Sequence, residues 1–344
     1  MNGTTIAVDL AKSIFEVAIS DRPGQVRERH RLSRLRFLDF FTRQQPATVL
    51  LEACGSAHYW GRQLESLGHQ VVLLPPHCVR PYVVRNKTDR ADAKGILEAY
   101  RNEEIHPVPV KTLDQQSVTA LHRLRSAWMA ERTARINTLR GLLREFGLTL
   151  PVGSHHVVPG VLRLLEDAGS PVPDLLRPLF REVTTEIRDL EARVRRTERL
   201  LEALARQTPA VQHLRSVPGI GLLTATALVA FVGDPRRFPS GRRLASYLGL
   251  TPRERSSGLT RRTGAISKRG DRYLRMLLIH GARATLCHAR KDPHPAPLLA
   301  WALDTQRLRG HNKATVALAN KLARIAWKVW SENRDFQPVR KEAA

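Results

Sequence analysis

Acidic residues are scarce in this sequence. Its 344 residues include 32 Asp and Glu against 56 Lys and Arg, which gives a formal net charge of +24 at pH 7. The basic excess is spread from Arg22 to Arg340, so a partner must supply negative charge over much of the surface. Nucleic acid is the commonest partner of this kind, and the charge balance therefore predicts nucleic-acid binding.

Cysteines and long apolar runs are scarce as well. Cys54, Cys78 and Cys287 lie far apart and form no Cys-x-x-Cys pair, which excludes a disulfide framework and a structural zinc site. No apolar run approaches the roughly 18 to 20 residues that a membrane helix needs. The first five residues show no export signal. We therefore expect reduced cysteines, no membrane partner and a cytoplasmic location.

Apolar periodicity in the first hundred residues predicts an α/β region. Residues 4–20 alternate as a hairpin of two strands around a short turn. Further strands are predicted around 26–30, at 48–51 and at 71–74, and helices at 33–42, 59–67 and 88–100.

Helical spacing dominates the rest of the chain. Two long helices are predicted, at 113–146 and after Pro173, with a break at 147–160 between them. The second carries a heptad seam from Phe180 to Leu204, which suits coiled-coil pairing either with the first long helix or with another subunit. Shorter helices are predicted at 222–231, 240–248, 268–283 and 312–330. We expect these divisions: an α/β domain at 1–105, a coiled-coil region at 106–208, a mostly helical domain at 209–333 and a tail at 334–344.

Four carboxylates stand at strand ends or at a helix start. Asp9 and Glu52 each follow an apolar strand, and Asp89 and Asp92 are three residues apart, so they share one face of a helix. The strands come in the right order for a ribonuclease-H-like sheet, which would bring the four acids together. Like charges this close need a counter-ion. Carboxylate oxygens suit Mg²⁺, with Mn²⁺ as an alternative, and two such ions can assist phosphodiester chemistry.

Each acid also has a purely structural interpretation. Asp89 and Asp92 suit the N-terminus of a helix through capping and the helix dipole, and Glu52 suits a surface loop. Lys87, next to these acids, suits either a phosphate contact or an ordinary solvated position. The joint occurrence of four acids at these places favours the metal site.

A basic, glycine-punctuated loop at 250–271 contains a candidate nucleophile. Ser257 precedes Gly258 among arginines that could hold a phosphate, and covalent catalysis divides one difficult transfer into two easier steps. Ser256 is adjacent, and Ser256, Ser257 and Thr260 also suit turns or a helix cap. Candidate nucleic-acid contacts in this loop are Arg253, Lys268 and Arg269.

The run Pro218-Gly219-Ile220-Gly221, ahead of an apolar helix, resembles a helix-hairpin-helix turn. Gly219 and Gly221 would let backbone N–H groups approach a phosphate. An ordinary glycine turn is the alternative.

Taken together, these strings resemble the DEDD transposases of bacterial insertion sequences, in the "one-ten" group that also includes Piv-type DNA invertases. The resemblance covers nearly the whole chain. In the N-terminal part it rests on the strings AVD at 7–9, LEACG at 51–55 and NKTDRADA at 86–93. In the C-terminal part it rests on VPGIG at 217–221, LGLTPR at 248–253, SG at 257–258 and SKRG at 267–270.

The resemblance implies a RuvC-like N-terminal domain and a C-terminal transposase domain. It implies an Mg²⁺-binding tetrad of Asp9, Glu52, Asp89 and Asp92, and a nucleophile, Ser257, whose phosphoserine link would allow strand rejoining without ATP. It further implies a dimer or tetramer joined through the coiled coil, with the two domains paired across subunits. The implied partners are donor DNA, target DNA and an element-encoded bridge RNA, in the nucleoid of a bacterial cytoplasm.

Two other functions fit the same residues. In a hydrolytic RuvC-like nuclease that acts on DNA junctions, water would attack and no protein would become attached to DNA. A nucleic-acid-binding scaffold with a degenerate site would tolerate replacement of Asp9 by Asn. The presence of all four acids favours an enzyme over the scaffold.

Overall fold

The structure is a computed structural model that describes residues 4–22, 25–83 and 89–338, except for the side chains of residues 89 and 90. Contacts divide the chain into two compact units, Met1–Asp114 and Gln115–Ala344. The expected finer division at residues 105, 208 and 333 stays a prediction.

A five-stranded mixed sheet forms the first unit. Its strands are β1 (Thr5–Leu10), β2 (Ile14–Ser20), β3 (Glu28–Ser33), β4 (Thr48–Glu52) and β5 (Gln70–Leu74), in the spatial order β3-β2-β1-β4-β5. The pairs β1–β2 and β2–β3 are antiparallel, whereas β1–β4 and β4–β5 are parallel. The α/β prediction is confirmed. The third strand lies later than the predicted 26–30, because its apolar Leu32 pairs with Phe15.

Helices cover both faces of this sheet. They are α1 (Phe37–Thr42), α2 (Ala57–Ser66), α3 (Pro76–Val79) and α4 (Asp89–Tyr100). On one face, Phe15, Phe37 and Trp60 pack edge to face with ring centroids 4.8 to 5.2 Å apart. On the other face, α4 packs on Ala7, Ala18 and Leu50. The predicted helix at 33–42 begins only at Phe37, since β3 extends to Ser33.

Helices dominate the second unit. They are α5 (Leu113–Glu145), α6 (Val157–Glu166), α7 (Arg177–Arg206), α8 (Pro209–Arg215), α9 (Leu222–Val232), α10 (Gly241–Tyr247), α11 (Arg272–Ala289), α12 (Pro297–Arg309) and α13 (His311–Ser331). A small hairpin of β6 (Pro252–Glu254) and β7 (Thr263–Ile266) follows α10. The long middle helices and the mostly helical C-terminal region match the sequence prediction.

The two long helices α5 and α7 run antiparallel along each other. Three ion pairs cross between them, with N···O distances of 2.6 to 2.7 Å, and they connect Arg125 with Glu198, Arg132 with Glu191 and Arg135 with Glu186. The seam of α7 is buried at most of its predicted positions, while Leu204 is exposed and Ala205 is buried instead. Of the two pairings that the heptads allowed, this chain makes the one with its own first long helix.

The predicted break at 147–160 was partly wrong, since α6 begins at Val157 within it. Pro159 and Gly160 are residue types that argue against a helix. Pro159 is tolerated because it lies in the first turn, where a missing N–H breaks no helical hydrogen bond. The loop ahead of α6 is fixed by the Arg140 guanidinium, which donates to the carbonyl oxygens of Leu150, Pro151 and Gly153.

Two other regions are more ordered than their composition suggests. The basic serine loop forms the β6–β7 hairpin. The tail is anchored as far as Phe336, because His213 Nδ1 lies 2.8 Å from an Asp335 carboxylate oxygen and the Phe336 N–H donates to Ser216 Oγ.

Membrane-length apolar helices do not occur within the described ranges. Cys54, Cys78 and Cys287, which all lie within the described ranges, form no disulfide bond with one another.

A buried histidine joins three helices of the second unit. His122 on α5 is 1% exposed, and its ring nitrogens lie 3.0 Å from Thr226 Oγ1 on α9 and from Tyr273 Oη on α11. The Thr226 hydroxyl donates to the Leu222 carbonyl, so it accepts from Nε2–H, and Nδ1 accepts from Tyr273. Burial, assisted by the nearby Arg125 charge, lowers the pKa of His122 to about 4.

We expect this histidine to make stability depend on pH. The unfolded chain protonates His122 near pH 6.5 but the folded chain only near pH 4, so stability present above pH 6.5 is lost as the pH falls towards 4. Between pH 7 and 4.5 the loss is about 2 kcal/mol from this residue. Urea unfolding of the wild type and of His122→Gln at both pH values measures it. The variant should be less stable at pH 7 but should lose less on acidification, and parallel losses would contradict the assignment.

Candidate active site

Two of the predicted acids lie at neighbouring strand ends. Asp9 in β1 and Glu52 at the end of β4 each come one position after the paired residues Val8 and Leu51 of the parallel ladder. Side chains alternate between the faces of a strand, so Asp9 lies on the face of Ala7, and Glu52 on the face of Leu50. Both are therefore on the side of the sheet that α4 covers. Both carboxylates are half-buried.

The other two acids belong to the first turn of α4. Small residues let this helix lie close to the sheet, since Ala93 of α4 packs with Ala7 and Ala18, which are paired in the β1–β2 register. Asp92, next to Ala93, is half-buried. Asp89 is the first residue of α4, and its side chain lies outside the described residues, as does the whole of Lys87.

Sequence reasoning missed one further carboxylate on this face. Glu16 in β2 lies directly opposite Asp9 in the antiparallel register and is half-buried, on the same face as Ala18. The signal was present in the hairpin pattern, because the register that pairs Ala7 with Ala18 also pairs Asp9 with Glu16. It required the exact register, which alternation alone does not give.

The expected convergence of all four acids stays a prediction, because the Asp89 side chain lies outside the described residues. Within the described residues, no three His, Cys, Asp or Glu side chains lie close enough together to form a metal centre. The chemistry of the donors fits a hard divalent cation, because Asp9 and Glu52 supply carboxylate oxygens on the face of the sheet that α4 covers. In a chain of net charge +24, acids gathered on one face mark this place as different from the rest of the surface.

The candidate nucleophile lies at the tip of the β6–β7 hairpin. Ser257 and Thr260 exchange two backbone hydrogen bonds of 3.1 to 3.2 Å around a two-residue turn. Gly258, at the first turn position, has φ of +55°, which a side chain would disfavour. Leu259, at the second position, is fully exposed. The hairpin therefore presents Ser257 at an outward tip.

The two adjacent serines differ in their partners. The Ser256 hydroxyl donates to a Glu254 carboxylate oxygen at 2.8 Å and accepts from the Arg262 N–H at 3.3 Å. The Ser256 hydrogen bond, together with the Arg261 charge, lowers the pKa of Glu254. Within the described chain, Ser257 Oγ forms no hydrogen bond, so Ser256 holds the hairpin and Ser257 is available for chemistry.

The basic side chains predicted to contact nucleic acid are all exposed, with Arg253 on β6 and with Lys268 and Arg269 at the base of the hairpin. The loop that carries the last two is rigidly held, because the Arg275 guanidinium donates to the carbonyl oxygens of Leu248 and Arg269. The base of the hairpin is therefore fixed and positively charged, while Ser257 lies at the opposite end.

The two glycines of the Pro218–Gly221 turn have different surroundings. Gly219 has φ of +86° and packs on α11, where a methyl group on Gly281 would lie 1.9 Å from the Gly219 carbonyl oxygen. Gly221 faces open space and begins α9. Gly219 therefore packs against α11, whereas Gly221 leaves the start of α9 exposed, and phosphate contact by either glycine stays a prediction.

The first unit carries acids on one face of its sheet, and the second unit carries an exposed basic hairpin with Ser257 near its tip. Comparison with known proteins identifies the class. Residues 6–147 match the DEDD transposase profile of IS110, and residues 211–296 match the profile described as "Transposase IS116/IS110/IS902 family". The first match contains the acids, and the second contains the glycine turn and the serine hairpin.

Similar proteins span the whole chain. A "Probable family 20 transposase" of Pseudomonas aeruginosa is 43% identical over 98% of this chain and 100% of its own length. The "Transposase for insertion sequence element IS1328" of Yersinia enterocolitica is 37% identical over 97% of this chain and 99% of its own. The "Transposase for insertion sequence element IS1111A" of Coxiella burnetii is 36% identical over 96% of this chain and 91% of its own.

The chain belongs to the IS116/IS110/IS902 family of transposases, which confirms the resemblance drawn from its motifs. It is therefore an enzyme that cuts and rejoins DNA. Its DEDD domain implies the use of divalent metal ions.

We expect Asp9→Asn to weaken divalent-metal binding, because it removes a charged oxygen ligand from the acidic face. The affinity for Mn²⁺ should fall by about tenfold or more. Titration of the full chain with Mn²⁺, followed by the electron paramagnetic resonance of free Mn²⁺, measures this without any DNA. Glu103→Gln, which removes an exposed carboxylate elsewhere in the first unit, is the matched control. Equal affinities for the wild type and Asp9→Asn would refute the metal site.

Proposed function

We propose that this transposase cuts and rejoins DNA through Ser257, assisted by an Mg²⁺-binding tetrad of Asp9, Glu52, Asp89 and Asp92 in a RuvC-like domain. The observation that carries the proposal is the contrast at the hairpin tip. Ser256 is held by Glu254 and Arg262, whereas Ser257 Oγ has no hydrogen-bond partner within the described chain.

The sheet supports the RuvC-like assignment of the first domain. A central β1 with an antiparallel β2–β3 meander on one side and parallel β4 and β5 on the other is the arrangement expected of a ribonuclease-H-like fold. This strand order places Asp9 and Glu52 near each other, because β1 and β4 are parallel neighbours that end at the same edge of the sheet.

The chemical step is an exchange of phosphate esters. Ser257 Oγ attacks the phosphorus of a DNA phosphodiester and loses its proton, a P–O bond to the serine forms, and the bond to one deoxyribose oxygen breaks. That oxygen leaves as a hydroxyl after taking up a proton. Attack on the phosphoserine by a hydroxyl of another strand reverses the exchange, so one phosphoester bond is conserved throughout and ATP is not needed.

Side chains of this chain prepare that step in two ways. Exposed arginines on β6 and between the two strands of the hairpin, Arg253, Arg255, Arg261 and Arg262, are placed to hold DNA phosphates near Ser257. The carboxylates of the tetrad would hold Mg²⁺. When bound, Mg²⁺ would supply electrostatic stabilisation of the negative charge on the transferring phosphate.

We also propose a bridge RNA that selects donor and target DNA, and a dimeric or tetrameric assembly. The net charge of +24 supports a partner larger than one short duplex, since each phosphate contact needs a cation. Exposed leucines on the α5–α7 helix pair, Leu124, Leu200 and Leu204, support a further helix contact between subunits.

Ser257→Ala should abolish covalent attachment of protein to DNA, because the methyl side chain has no oxygen to attack phosphorus. The assay incubates the protein with Mg²⁺, RNA transcribed from the noncoding DNA flanking the gene, and labelled donor and target DNA, and resolves DNA-linked protein on a denaturing gel. Ser256→Ala is the matched control, and it should retain the covalent band at reduced yield.

Cleaved DNA without attached protein, equally abundant in Ser257→Ala, would overturn the serine mechanism in favour of hydrolysis by a RuvC-like nuclease. A covalent band that persists in Ser257→Ala but disappears in Ser256→Ala would move the nucleophile by one position.

Recombination should depend on the flanking RNA, because base pairing is proposed to select the two DNA sites. Joined donor–target product, detected by amplification across the new junction, should fall to background when the RNA is omitted or replaced by a scrambled RNA of equal length. Undiminished product without RNA would refute RNA guidance and leave the serine step unaffected.

A further inference from the structure

A large groove in the second unit has no part in the chemistry described above. It has a volume of about 1120 Å³ and lies between the start of α10, the start of α12, α13 and the segment Arg334–Pro338. Its wall is largely apolar and includes Leu298, Leu299, Ile325 and Trp327. The indole of Trp327 is fixed, because its N–H donates to the carbonyl oxygens of Pro235 and Phe238. We call this feature the α12–α13 groove.

Three cations at the α12–α13 groove lack counter-ions. Arg242, Lys321 and Arg324 line it, and none of them forms an ion pair with the described residues. The Lys321 ammonium lies 3.5 Å from the centre of the Trp301 ring, a contact that fixes it beside the groove. Burial, assisted by the Arg324 charge, lowers the pKa of Lys321. Like charges held together without an acid favour the arrival of an anion.

The surroundings strengthen the positive potential. The carboxylate among the lining residues belongs to Asp335, which is engaged with His213. The 13-residue helix α12 begins at the groove, and Ala296 and Pro297 at its start provide no side-chain cap for the first N–H groups. An apolar wall with a cationic rim matches a ligand that is apolar on one side and carries regular negative charge on the other.

We propose that the α12–α13 groove binds a single strand of nucleic acid, with unpaired bases against the apolar wall and phosphates on Arg242, Lys321 and Arg324. In an intact duplex the base faces are stacked inside, so they cannot contact the apolar wall of the groove. An unpaired base presents an apolar face that stacks on fixed aromatic and aliphatic side chains. The volume is ample for at least one nucleotide.

The first test separates phosphate contacts from general attraction to a basic protein. A fluorescein-labelled oligothymidylate of about 15 nucleotides and an oligouridylate of equal length are titrated with the full chain across a range of salt concentrations. The double variant Lys321→Gln/Arg324→Gln should bind either strand about tenfold more weakly, and the slope of log affinity against log salt should decrease by about 1.4.

Matched controls come from the same two helices. Arg309→Gln/Lys313→Gln removes two exposed cations outside the groove and should leave the contribution of the groove to strand affinity unchanged. If both double variants lower the affinity equally, attraction is general and the proposal is overturned.

The second test addresses the bases. Leu299 lines the groove and is the third residue of α12, a position where aspartate suits a helix. Leu299→Asp should therefore fold while placing a charge on the apolar wall. The wild type should bind oligothymidylate more tightly than an abasic strand of equal length, and Leu299→Asp should lose most of this preference. Equal binding of the two strands by the wild type, or tighter binding of a duplex, would overturn the proposal.

Discussion

The scarcity of carboxylates constrains the whole molecule. With 32 acids for 56 basic side chains, at least 24 cations cannot be neutralised within the chain, so the position of each acid determines where positive charge remains. In the second unit, Glu186, Glu191 and Glu198 are used to join α5 to α7. In the first unit, acids lie on the α4-covered face of the sheet. The remaining surface is rich in unneutralised basic side chains, and such a surface attracts a polyanion.

The fold of the first unit was predictable because its signals are local. Alternating apolar residues predicted β1 and β2, and short apolar runs predicted β4 and β5. The ends of β1 and β4 indicated Asp9 and Glu52. Glu16 was not found, since its place beside Asp9 depends on the register between two strands. The hairpin around Ser257 was also missed as a hairpin, because its strands are short and exposed, and are held by backbone hydrogen bonds such as Arg255 N–H to the Arg262 carbonyl.

Two other features, the α12–α13 groove and the difference between the two serines, could not be predicted from the sequence. The α12–α13 groove takes its wall and its cations from segments that are distant in the chain. Its lysine and arginines look like ordinary solvated residues on amphipathic helices until α10, α12 and α13 are packed together. The same is true of Ser256 and Ser257, which are equivalent in the sequence and differ only in the hydrogen bonds that the folded hairpin makes.

The contact between Gly219 and Gly281 gives α11 a mechanical role. It fastens the glycine turn ahead of α9 to the middle of α11, while Arg275 fastens the loop of Lys268 and Arg269 to the beginning of the same helix. Ten residues separate Asp271 from Gly281, which corresponds to about 15 Å along a helix. Helix α11 therefore fixes the distance between the glycine turn and the loop. This distance matches four to five base-pair steps of roughly 3.4 Å each. DNA that touches both must keep that spacing or bend to meet it.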